Sequence, residues 1–140
     1  MPAAVANPYA NQDLFIASDV RDRMDDLVSR SAQDARPFAR QVDAWWVALG
    51  IGVRLRQRTP LPDKTVKFND GTILATDPWR ITHLELLALA VEGKGVLDSP
   101  AQVIRIATEY ANAGFAWLIE KLLGEAEPTL TLTNRLSEFA

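Results

Sequence analysis

Cysteine is absent from the 140-residue chain, and histidine occurs once, as His83. Disulfides and thiolate metal sites are thereby excluded, and a reducing compartment, the cytoplasm, is the expected home. A metal site built on His83 would need several carboxylates converging on it, and no ligand pair of recognised spacing includes it. No apolar run reaches the length of about 18 residues that reads as a membrane span, so no membrane contact is expected. The opening residues Met1-Pro2-Ala3-Ala4-Val5-Ala6-Asn7 lack the basic region and apolar stretch of a secretory signal. An excess of positive charge is missing too. The net charge of −3 argues against a protein that coats nucleic acid nonspecifically.

What is present fits one ordinary globular domain, with 48% hydrophobic and 24% charged residues. Its charge is segregated. Residues 1–35 carry net −3, residues 36–67 net +5 and residues 68–140 net −5. The central positive band reads either as internal ion pairing with its acidic flanks or as a surface for phosphates or an acidic partner.

Periodicity predicts a mainly α fold, a compact bundle of four or five helices with a small β-hairpin near residues 64–75. Residues 1–13 read as a flexible lead-in, 14–124 as a single helical domain and 125–140 as a tail. Val20, Met24, Leu27 and Val28 place four apolar groups on one face of a first helix, opened by Ser18 and Asp19. A second helix is expected from about Asp34 to Pro37. Its Phe38, Val42, Trp45, Trp46, Leu49 and Val53 recur at helical spacing, and the two tryptophans mark the expected centre of the core. Gly50 and Gly52 within it signal either a close backbone approach or a kink. Arg54, Arg56 and Arg58 close that helix before Pro60 and Pro62.

The alternation Lys64-Thr65-Val66-Lys67-Phe68, then Asn69-Asp70-Gly71, then Thr72-Ile73-Leu74 predicts the hairpin. Asp77-Pro78 opens a third helix that is apolar over most of its circumference and is expected to be buried centrally. Ser99-Pro100-Ala101-Gln102 forms a capping box for a fourth helix. Asn112-Ala113-Gly114 interrupts it, so it reads as two helices or one bent helix. Beyond Pro128, the alternating Thr and Leu read as a docking strand or as disorder.

Catalytic constellations are thin. Asp22, Asp25 and Asp26 cluster on the first helix but alternate with Arg21 and Arg23, as on a solvated face. Asp63, followed far downstream by Glu92-Gly93-Lys94, spells the pattern of metal-dependent nucleases, but without the strand that chemistry needs. Gly50-Ile51-Gly52 sits inside a helix and lacks the third glycine and the Lys-Ser/Thr pair of a phosphate loop. No catalytic residue, metal or cofactor is therefore expected, and the chain is not read as an enzyme. The best binding candidates are Arg54, Arg56, Arg58, Lys64 and Lys67, with Trp46 and Trp79. Arginine forks suit phosphate or carboxylate, and aromatic and arginine residues dominate interface energies.

The block from Trp45 to Leu61, with Leu86-Leu87-Ala88-Leu89-Ala90 and Glu109-Tyr110-Ala111-Asn112-Ala113-Gly114, resembles small proteins encoded beside bacterial DNA phosphorothioation (Dnd-type) systems. The similarity covers about residues 38–123. It implies an accessory component of an anti-phage or DNA-modification locus, working with a larger DNA-acting protein, and it carries no active site. The leading expectation is a non-enzymatic adaptor for such a partner. The alternative is direct DNA binding, in which a dimer pairs Leu14-Phe15-Ile16 as a ribbon. A metal-dependent nuclease ranks below both.

Overall fold

The computed structural model describes residues 6–29, 36–122 and 124–139. It is mainly α: β1 (Asp13–Ala17), α1 (Ser18–Leu27), α2 (Gln41–Leu55), β2 (Thr65–Asp70), α3 (Trp79–Glu92), α4 (Pro100–Leu122) and α5 (Pro128–Leu136). Short 3-10 segments cover Gly71–Thr76, Lys94–Asp98 and Ser137–Phe139. Among the described residues, no helix is long and apolar enough to cross a membrane.

The organising contact is α2 against α4. It is close because each helix offers a glycine to the other's backbone. A Cβ built on Gly52 would lie 2.0 Å from the Tyr110 carbonyl oxygen, and one on Gly114 would lie 1.6 Å from that of Ala48. Gly52 therefore marks a close approach rather than a kink. Asn112-Ala113-Gly114 lies within one continuous helix. The same glycine that lowers local helix propensity lets the neighbouring backbone in.

Trp45 is fully buried beside this crossing, 6.1 Å from the Phe68 ring, whereas Trp46 is only half-buried. The core is centred on one tryptophan rather than two. The helix pair occupies the middle, so α3 lies at the edge and not at the centre, as its sequence suggests. It buries only Arg80, Ile81, Leu84 and Ala88.

A two-stranded antiparallel sheet is present, but its pairing differs from the expected local hairpin. β2 pairs with β1, with Asp13 opposite Asp70 and Ala17 opposite Thr65. After β2 the chain does not turn back. The Asp70 carboxylate accepts from Thr72 N at 3.0 Å and from the Thr72 hydroxyl, which caps the 3-10 segment. Gly71 N donates to the Gln12 carbonyl at 2.6 Å, and a Cβ on Gly71 would collide with the Tyr9 carbonyl. Asn-Asp-Gly is thus a capped entry into a 3-10 turn. The Leu14–Ile16 ribbon is paired within the chain.

Three further expectations change. Of the lead-in expected over residues 1–13, residues 1–5 lie outside the described residues; in the rest, Tyr9 is 2% exposed and Asn7 Nδ2 donates to the Gly71 carbonyl. The second helix starts at Gln41, later than the Asp34–Pro37 start, of which Asp34 lies outside the described residues. Phe38 is used differently. Its N–H donates to Leu27 and its carbonyl accepts from Ser29, bridging extended chain to the end of α1. The tail forms α5 instead of a strand, with Leu132 buried and Phe139 packed on Trp117 at 5.3 Å.

Candidate interaction surface

On α2, Trp46, Gly50 and Arg54 are spaced four residues apart and therefore share a line along one face. Gly50 is exposed, with open space where a side chain would stand. This line is the floor of two adjoining grooves. One, of about 500 Å³, is walled by His83, Leu86 and Leu87 of α3 with Leu49 and Val53. The other, of about 320 Å³, is walled by Val47, Ile51, Leu136 and Phe139. Arg54 stands in both, and its Nη2 donates to the Phe139 carbonyl.

At one end of the floor lies a cluster that sequence reasoning did not find. Arg80 is 6% exposed, with its guanidinium 5.4 Å from the Trp46 ring centre and 5.1 Å from that of Trp79. Its Nη2 donates to Asp43 Oδ1 at 3.0 Å, and its Nη1 lies 3.8 Å from Asp77 Oδ2. Arg40 bonds both carboxylates, to Asp43 at 2.9 Å and Asp77 at 3.1 Å. Burial alone would raise the Asp43 carboxyl, but hydrogen bonds from Arg40 and Arg80 outweigh it and hold the group below the usual range. Among the described residues, Arg80 Nε and Nη1 have no hydrogen-bond acceptor. Its cation–π contacts with both indole rings are their compensation. Trp46 and Trp79 meet edge to face at 5.4 Å, and the exposed His83 ring stands against both, 6.2 Å and 5.6 Å away. Nothing in the sequence marked Arg80, because its stacking partners come from two helices.

The expected basic surface is dispersed. Arg58 is an internal clamp, 2.8 Å from Glu109 and 3.4 Å from Glu92, with its guanidinium over the Tyr110 ring. Burial lowers its pKa and the two carboxylates more than restore it, so the net direction is upward. Lys67 pairs with Asp13 across the sheet at 3.0 Å. These pairs match internal ion pairing between the band and its flanks. Arg56, in the left-handed conformation that ends α2, and Lys64 are exposed and without an ion-pair partner among the described residues. Of the seven predicted residues, Trp46, Trp79 and Arg54 thus share one face, while Arg58 and Lys67 are engaged within the chain.

Glu92, from the nuclease-like pattern, faces Arg58, and Asp63 is exposed in the connection after α2. Among the described residues, no three His, Asp or Glu side chains gather as metal ligands would. Tyr9, buried and hydrogen-bonded to Glu85 of α3, has its hydroxyl pushed up to about 12, first by burial and then by that carboxylate. Compared with known proteins, the chain matches no family model, no curated protein and no solved structure.

Proposed function

We propose that this chain is a non-enzymatic adaptor that seats a segment of a larger protein on the α2 floor, with Arg54 meeting an acidic group of that partner. The observation carrying this reading is the groove itself. Its floor has a bare glycine at the centre, a half-buried tryptophan at one end and an exposed arginine at the other. Apolar grooves with a few polar groups on the rim are the usual form of a segment-binding site. The resemblance to accessory proteins of phosphorothioation loci supplies the context: a cytoplasmic partner that acts on DNA, in an anti-phage or DNA-modification system.

The test is co-purification of the tagged chain with the products of its neighbouring genes. Gly50→Arg fills the groove from a position with open space, and Arg54→Glu reverses its charge. Both variants should fold and lose the partner. Retention of the partner by both would refute this docking site. Direct DNA binding is less well supported, because two of the five predicted cations, Arg58 and Lys67, already have carboxylate partners, which leaves Arg54, Arg56 and Lys64 without an ion-pair partner among the described residues. It predicts a salt-sensitive shift of duplex or single-stranded DNA, weakened by Arg56→Glu.

A further inference from the structure

A helix that is apolar over most of its circumference is normally buried over most of it. α3 is the exception in this fold. Its outward arc consists of Trp79, Thr82, His83, Leu86, Leu89 and Ala90, about 120° of the circumference at 3.6 residues per turn. Leu86 is 58% exposed and Trp79 49%. The arc holds no Asp, Glu, Lys or Arg. The charged residues of α3 lie elsewhere: Arg80 inward, Glu85 beside Tyr9, and Glu92 on Arg58.

We propose that a second copy of the chain covers this arc, α3 packing on α3 about a two-fold axis. The charge pattern selects that occupant. In a two-fold contact, residues near the axis meet their own copies, so a charged strip repels itself and an uncharged one does not. A strongly acidic or basic partner finds no countercharge along the strip. The flanks are opposite in sign, with Arg54 of α2 on the groove side and Glu85 on the Tyr9 side. A two-fold axis running along the strip carries the Arg54 flank of one copy over the Glu85 flank of the other, on both sides of the contact. α3 is 14 residues long, so about 20 Å of helix is offered. That is small beside the roughly 800 Å² per partner of a standard interface, which makes the self-association weak and concentration-dependent. The contact shares His83 and Leu86 with the larger α2 groove, while the adjoining groove walled by Leu136 and Phe139 contains no α3 residue and stays open to a partner segment.

Sedimentation equilibrium of the full chain across a wide concentration series tests the proposal. The unmodified chain is expected to pass from monomer to dimer. Leu86→Glu should raise the dissociation constant at least about tenfold by placing a charge in the contact. Ala90→Lys, a second change on the arc, should do the same. Leu130→Glu, at a leucine that is 54% exposed on α5, should leave it unchanged. Circular dichroism confirms that each variant is folded. A chain that stays monomeric throughout, or a dimer indifferent to both arc variants, overturns the proposal. A monomer that still loses its larger partner on Gly50→Arg would overturn the dimer alone and leave the adaptor reading standing.

Discussion

Two glycines two positions apart on α2, Gly50 and Gly52, should respond to alanine in opposite directions. In a helix interior, Gly→Ala gains about 1 kcal/mol from propensity and reduced chain entropy. At Gly50 nothing lies within 4 Å of the added methyl, so the gain is realised. At Gly52 the methyl would stand 2.0 Å from the Tyr110 carbonyl oxygen and 2.8 Å from its carbon, both backbone atoms of a helix that cannot rotate away. Ordinary contact begins near 3.4 Å. The two helices must therefore separate by more than an ångström, which loosens the packing around Trp45, Ala48, Ala111 and Phe115. Overpacking of this kind costs about 1–3 kcal/mol, and more where backbone must move. We expect a net loss of about 3 kcal/mol for Gly52→Ala, and the same or more for Gly114→Ala, whose methyl is 1.6 Å from the Ala48 oxygen. For a chain of this length each kcal/mol shifts the melting temperature by roughly 3 °C. Thermal unfolding followed by circular dichroism should place Gly50→Ala about 3 °C above the parent and Gly52→Ala about 10 °C below it. Equal melting temperatures for these two variants would refute the interlocked-glycine account of the α2–α4 crossing.

Two other outcomes can be measured. Arg80→Ala leaves a gap beside the Trp46–Trp79 ring pair and removes one of the two arginines on Asp43, so a loss of about 3 kcal/mol is expected in denaturant titration, with a changed tryptophan emission; a change below about 0.5 kcal/mol would reduce the cluster to a surface ornament. Tyr9 has its pKa raised to about 12 in the folded chain from 10.0. Its contribution is therefore complete below pH 10 and lost as pH rises from 10 to 12, by up to about 3 kcal/mol. Tyr9→Phe should remove this alkaline loss from the stability–pH curve, and an unchanged curve would show that the hydroxyl is not held neutral by the fold.

Helix identity was legible wherever periodicity and local end signals agreed. Ser99-Pro100 starts α4, as read from local chemistry alone, and Gly93 ends α3 with a φ of 84°. The misreadings share one cause, long-range partnership. Lys64–Phe68 was recognisable as a strand, but its partner lies some fifty residues upstream, and Asn-Asp-Gly is equally good as a turn and as a capped 3-10 entry. Alternating Thr and Leu after Pro128 fits a strand, yet the first-turn proline and the burial of Leu132 favour α5. The site was legible in part. Trp46, Arg54 and Trp79 share a face, whereas Arg58 is spent on Glu109, at a separation no local pattern reports. Arg80 was invisible because its surroundings exist only after α2 and α3 are placed.

The pairing of β1 with β2 has a consequence for synthesis. Asp13–Ala17 leaves the ribosome roughly fifty residues before Thr65–Asp70, the strand that satisfies its backbone groups. Closing a loop of that length costs chain entropy before any ladder bond forms, so the amino-terminal segment waits as an unpaired edge while α2 is made. A nascent chain stalled before residue 65 would carry Leu14 and Ile16 with nothing to cover them. Such a fragment is prone to stick to other chains.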